Sequence, residues 1–249
     1  MINGIFFDLF GTLLEYGNMT NAWNHWLETF YKYLIPQGLS ITQQEFASQC
    51  DQFFSKNAPA SNVNEMTVYE YRINRLCESL NIYLNIDSIS EIANLTVQTW
   101  QKEIAPAPDC KKTLKILKKT KILALITNFD HPPHINKLLS HFGLDSFFTE
   151  IIISANVGYK KPDPEIFRIA LEKTFLKANE VVYVGDTKDD IIGAISSGIK
   201  PILINSCINQ NKTAYDYYLK DPSENNITQD NNLNVLTITK LSNLIEILA

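Results

Sequence analysis

Asp8 ends the apolar run Ile5-Phe6-Phe7 and opens the string Asp8-Leu9-Phe10-Gly11-Thr12-Leu13. A carboxylate where a buried strand ends, followed by a Gly-Thr turn, is a way to present a nucleophile at the carboxyl edge of a sheet. Three further polar segments stand behind apolar runs. They are Thr127-Asn128, Gly158-Tyr159-Lys160-Lys161-Pro162-Asp163-Pro164 and Gly185-Asp186-Thr187-Lys188-Asp189-Asp190. Together the four supply a carboxylate, a hydroxyl with adjacent backbone donors, a lysine and an acidic cluster. Asp8, Asp186 and Asp190 at one sheet edge would crowd like charges, so without a cation at least one should have a raised pKa. A divalent metal removes that conflict and lets Asp8 stay ionised.

The elements that must hold these residues follow from hydrophobic spacing. A first strand covers roughly residues 3 to 8. Ala22, Trp23, Trp26, Leu27, Phe30 and Leu34 then recur at helical spacing, and further helices are expected over 42–55, around Tyr69, Ile73, Leu76 and Leu80, and around Ile89, Ile92, Ala93, Val97 and Trp100. Ala105-Pro106-Ala107-Pro108 reads as a stiff linker. Beyond it helix and buried strand alternate: a helix over 109–119, the strand Ile122 to Ile126, a helix over 133–142 stopped by Gly143, and the strand Glu150 to Ser154. Next come a helix from Pro164 to about 174 with Asp163 as N-cap, the strand Val181 to Val184, a helix ending near Gly198, and the strand Pro201 to Ile204. Ser206 to Asn234 reads as a long polar excursion, followed by a strand over Val235 to Ile238 and a helix over Leu241 to Leu248. This predicts an α/β fold, a doubly wound parallel sheet formed by residues 1–15 and 105–249, with a helical insert over 16–104.

Composition narrows the function classes. The 249 residues carry a net charge of −5 and show no basic footprint, which argues against nucleic acid and anionic membrane as partners. Cys50, Cys77, Cys110 and Cys207 form no Cys-x-x-Cys pair, a pattern suited to reduced thiols. No apolar run reaches membrane-spanning length, and Asp8 interrupts the first one, so no signal peptide is expected and the chain reads as cytoplasmic.

The four segments, in this order and each behind an apolar strand, resemble those of the haloacid dehalogenase-like hydrolase superfamily, most of whose members are phosphatases. The insert is similar to that family's helical cap. The resemblance implies that Asp8 attacks phosphorus and forms an aspartyl-phosphate. It implies that Thr127 and the backbone N–H of Asn128 hold phosphoryl oxygens. Lys161, which directly precedes Pro162-Asp163-Pro164, offsets their charge; Lys160 is the alternative by position. Mg²⁺ would be held by Asp8, the backbone carbonyl of Phe10 and Asp186, with Asp190 bound directly or through water, oxygen ligands that suit a hard cation. Thr12 would buttress the loop. The substrate would be a small phosphorylated molecule, because an insert above the site restricts access.

Phe10 departs from the pattern, since phosphatases of the superfamily usually place there a second Asp that protonates the leaving oxygen. Losing a general acid–base costs about 10² to 10⁴ in rate, or roughly 3 to 5 kcal/mol of barrier. An aromatic residue at this place is also similar to the true dehalogenases, which need no acid. Against that reading stand Asp186 and Asp190, and the absence of any Arg over residues 16–71 to bind a halide; Arg72 is the first. Phosphatase chemistry on leaving groups that need little protonation is therefore the expectation, with a 2-haloacid dehalogenase and a non-catalytic phospholigand-binding module as alternatives.

Other candidates have blander readings. Asp189 is expected to face solvent, and His131-Pro132-Pro133-His134 to form a helix-entry loop rather than a metal pair. Trp23, Trp26 and Tyr69 are expected in the core of the insert, and Arg72 and Arg75 in solvent.

Overall fold

Gly4–Phe7 (β1) is buried along its whole length, and in the computed structural model it lies at the centre of a six-stranded sheet. The structure describes residues 1–63, 65–205 and 235–248; the expected excursion over 206–234, with Cys207, lies outside them. The other strands are Ile122–Thr127 (β4), Glu150–Ile153 (β5), Val181–Gly185 (β6), Lys200–Ile204 (β7) and Leu236–Ile238 (β8). Their order is β5-β4-β1-β6-β7-β8, and every pairing is parallel. The fold is α/β, as the alternation predicts.

Continuous apolar runs are what a sheet covered on both faces demands, and side-chain alternation sorts them. Ile5, Phe7, Leu123, Leu125, Val182 and Val184 point into one apolar cluster. It is closed by the helices Cys110–Leu117 (α5), Pro132–His141 (α6) and Asn243–Ile247 (α10). Phe6, Ala124, Ile126 and Tyr183 point to the other face, beneath Pro164–Thr174 (α8) and Lys188–Ser196 (α9). A short helix, Ser154–Val157 (α7), leaves β5 directly.

The helices Met19–Leu34 (α1), Gln43–Gln49 (α2), Val68–Ser79 (α3) and Ile86–Gln101 (α4) fall between Leu14–Tyr16 (β2) and Ile104–Pro106 (β3). They bury a separate cluster containing Trp26, Phe30, Phe46, Tyr69, Ile73 and Ile92. Two expectations need correction here. The linker at 105–108 is half strand: β3 pairs antiparallel with β2, Leu14 opposite Pro106 and Tyr16 opposite Ile104, so entry and exit of the insert share one ribbon. Pro106 is tolerated because such a two-stranded ribbon has free edges. The helix expected over 42–55 stops at Gln49, and 50–55 form turns. Asp163 is the N-cap of α8, its carboxylate accepting from Glu165 N at 2.9 Å, and Gly143 ends α6 with φ of 58°, both as predicted. Among the described residues, no helix is long and apolar enough to cross a membrane.

Candidate active site

Parallel strands deliver their carboxyl ends to one edge, and the sheet brings Asp8, Thr127 and Asp186 there from β1, β4 and β6. Asp8 N donates to Val184 O at 2.9 Å, which ties the nucleophile candidate to β6. Oxygens of Asp8, Asp186 and Asp190 all lie within 4.8 Å of one another, and all three residues are buried. The turn after Asp8 must be glycine at position 11. Gly11 has φ of +86°, and a Cβ there would stand 2.2 Å from Asp186 Oδ2.

Lys161 is 4% exposed and reaches the centre of this cluster. Its Nζ donates to Asp8 Oδ1 at 2.5 Å, to Asp190 Oδ1 at 2.6 Å and to the Tyr183 hydroxyl at 3.0 Å. Lys160, the alternative by position, is exposed on the cavity wall. Asp190 is held by the start of α9. Thr187 and Asp190 form a capping box, and Asp190 Oδ2 accepts from Asp186 N, Thr187 N and Thr187 Oγ1 at 3.2, 2.9 and 2.6 Å.

These surroundings divide the carboxyls. Burial pushes Asp8 up to about 7; Asp190 and Asp186 add to the rise, and Lys161 opposes it. Burial also opposes ionisation of Asp190, but Lys161 and the bonds from Thr187 outweigh it and hold Asp190 below the usual range. Asp190 is thus the settled anion and Asp8 the strained one. Lys161 is held above its ordinary value, since Asp190 and Asp8 together overcome its own burial.

Thr127 Oγ1 is buried and has no hydrogen-bond partner among the described residues, so it is available to an entering oxygen. Thr12 Oγ1 is in the same condition, so a buttress through its hydroxyl is not what the structure shows. Asn128 has a function the sequence did not reveal. Its side chain donates from Nδ2 to Lys161 O at 3.0 Å and accepts from Lys161 N at 2.8 Å. That pair clamps the lysine loop to the end of β4. Tyr183 was legible only as a strand residue, yet its hydroxyl donates to Asp190 Oδ1 at 2.9 Å. A tyrosine in an all-apolar strand was the available signal, because a buried phenol needs a partner.

Above the cluster lies a cavity of about 410 Å³. Phe10 forms part of its wall, with ring centroids 5.3 Å from Trp100 and 5.4 Å from Phe129. Trp26 and Tyr69 belong to the core of the insert as expected, and they also face the cavity, as does Trp23. Two expectations of solvent exposure fail. Asp189 is half-buried on the cavity wall, because the first turn of α9 faces the sheet edge. Arg72 has a side chain only 12% exposed; its Nε donates to Asp130 Oδ2 at 2.7 Å and its Nη1 to the carbonyls of Phe53 and Lys56. Arg75 is exposed as expected. His131 and His134 are buried and are no part of the metal-competent cluster, and His131 sits at the N-cap position of α6.

Residues 5–204 match the family model described as haloacid dehalogenase-like hydrolase. A glyceraldehyde 3-phosphate phosphatase of Methanothermobacter thermautotrophicus is 27% identical over the full length of both chains. A 2-haloacid dehalogenase from Pseudomonas syringae pv. Tomato superposes with a TM-score of 0.67 at 21% identity, covering 100% of this chain and 98% of that one. A HAD phosphatase from Thermococcus onnurineus superposes at 0.65 with 20% identity, again covering 100% and 98%. The structures share the fold, whichever chemistry their names carry. With the model spanning most of its length, the chain belongs to the haloacid dehalogenase-like hydrolases.

Proposed function

We propose that the chain is a Mg²⁺-dependent phosphatase working through an aspartyl-phosphate on Asp8. The observation that carries this reading is the cluster of Asp8, Asp186 and Asp190 around Lys161. Asp8 and Asp190 share the Lys161 ammonium, Asp186 lies beside them, and a divalent cation would suit three buried carboxylates so close together. Asp8, Asp186 and the carbonyl of Phe10 would hold the ion, and Asp190, both of whose oxygens already accept hydrogen bonds, would act through water. Bound there, Mg²⁺ would neutralise the carboxylates and the incoming phosphoryl group. The full-length relative named as a phosphatase supports the same chemistry.

The chain's own groups supply the rest. Thr127 Oγ1 and Asn128 N–H receive phosphoryl oxygens, and Lys161 balances charge on Asp8 and the substrate. An Asp8 oxygen bonds to phosphorus as the ester P–O bond breaks, and the electron pair departs on the leaving oxygen. Water then attacks phosphorus and releases phosphate and free Asp8. No carboxyl stands at Phe10 to protonate the leaving oxygen, so esters of acidic alcohols are favoured.

Residues 16–104 act as a cap over the core formed by 1–15 and 105–249, and restrict the site to small molecules. The thiols of Cys50, Cys77 and Cys110, free and buried, fit a reducing, cytoplasmic setting. Dehalogenation is disfavoured because Arg72, the first arginine of the insert, is already bound by Asp130. The test is a phosphate-ester panel beside 2-haloacids, each with Mg²⁺ and with chelator. Chelator-sensitive phosphate release is expected, and chelator-resistant halide release would overturn the reading.

A further inference from the structure

Two groups of aromatic rings border the cavity. Phe10, Trp100 and Phe129 form one, with centroid spacings of 5.3 to 6.3 Å. Trp26, Phe54 and Tyr69 form the other, at 5.8 and 6.2 Å. Flat rings stack favourably on such walls at 4.5 to 7 Å. About 410 Å³ falls within the range that takes a ligand much larger than a triose.

Polar side chains line the cavity as well, among them Arg72, Asp130, Asp189 and, beside the rings, His131. His131 is 1% exposed and borders the cavity, with its ring 5.7 Å from that of Tyr69. Its Nδ1 lies 2.9 Å from Thr67 Oγ1, and that hydroxyl already accepts from Glu70 N at 3.2 Å. A hydroxyl has one proton to give, and Nδ1 is the acceptor within its reach among the described residues. The proton of the imidazole therefore belongs on Nε2, an assignment made from the hydrogen-bond network. Nε2 is buried and has no partner among the described residues. A buried donor left unmet costs free energy, and an acceptor arriving with a substrate would recover it. Burial pushes His131 down to about 4, so the ring stays a neutral donor at pH 7.

Building on the phosphatase reading, we propose that the substrate is a phosphate ester of a planar aromatic alcohol carrying a hydrogen-bond acceptor, which His131 Nε2–H receives. The absent acid agrees with this class, because a phenolate leaves with its electron pair and takes its proton from water afterwards.

Binding is read by tryptophan quenching in Asp8→Asn, where leaving-group chemistry plays no part, and turnover is read in the otherwise native chain with Mg²⁺. The probes are 4-acetylphenyl phosphate, 3,4-dichlorophenyl phosphate and glyceraldehyde 3-phosphate. The two aryl esters have leaving groups of similar acidity, but only the first bears a strong acceptor. Both aryl esters should bind at least about 10-fold tighter than the triose ester. The acetyl compound should lead the dichloro compound by about 5- to 10-fold in kcat/KM. His131→Ala should bring that ratio to about 1, and His131→Gln, which keeps an N–H near the Nε2 position, should restore part of it. Equal or tighter binding of the triose ester overturns the substrate class, whether or not phosphate is released. An acetyl preference that survives His131→Ala in a folded variant overturns the role of His131. Failure to release phosphate from any ester, with aryl binding intact, sinks the phosphatase reading while leaving the ligand class standing.

Discussion

Asp8→Asn should make the metal-free protein more stable while abolishing turnover. Asparagine keeps the shape and the oxygen that accepts from Lys161 but removes a charge the site opposes. A carboxyl moved from 3.8 to about 7 costs about 4 kcal/mol to ionise in the folded state, and Asn removes that cost above pH 7. In a chain of 249 residues each kcal/mol shifts the melting temperature by about 2 to 4 °C, so the gain is on the order of 10 °C. The sign with pH is fixed. The folded protein holds the Asp8 proton more tightly than the unfolded chain, so native stability relative to the variant is highest below pH 3.8 and falls as pH rises through 7. The variant's advantage should therefore be absent near pH 4 and full near pH 8. Thermal melts of both proteins in chelator across that range provide the assay. Mg²⁺ added at pH 8 should raise the native protein more than the variant. A variant that melts below the native protein at pH 8 in chelator, or an advantage that shrinks as pH rises, would refute the account of a strained nucleophile.

Removing the balancing charge should do the reverse: Lys161→Met leaves Asp8 and Asp190 uncompensated and should cost about 3 to 5 kcal/mol in chelator, checked by urea denaturation. Asp8→Asn combined with Lys161→Met should recover part of that loss, and strict additivity would count against a shared cluster. Phe10→Asp should lower stability by about 3 to 5 kcal/mol through lost packing on Trp100 and Phe129, while raising alkyl-phosphate turnover relative to aryl in whatever remains folded. Unchanged or lower alkyl activity in a folded variant speaks against the missing acid. His131 and His134 are both pushed down to about 4 by burial, so the unfolded chain takes up their protons first as pH falls. Stability should be level above about 6.5 and fall toward pH 4 by up to about 3 kcal/mol for each ring. His134→Phe should flatten part of that slope in acid melts.

The sequence alone determined the sheet and its active edge. Runs such as Val181 to Val184, each followed by a polar turn, can only be buried strands that surface at their carboxyl ends, so Asp8, Thr127 and Asp186 were bound to meet. Caps were equally legible, since Asp163 before Pro164 acts within a few residues of itself. The long-range clamps were not. Asn128 holds Lys161 across 33 residues, Tyr183 reaches it across 22, and Thr67 fixes the proton of His131 across 64. No local periodicity records such pairs, because they arise only when loops from different strands arrive at one edge. Arg72 and Asp189 were misjudged for the same reason, as exposure depends on what a neighbouring element covers. Phe10 shows the division well. Its type in the sequence declared that an acid is missing, and only the tertiary structure, by setting it against Trp100 and Phe129 on the cavity wall, decided what fills that place.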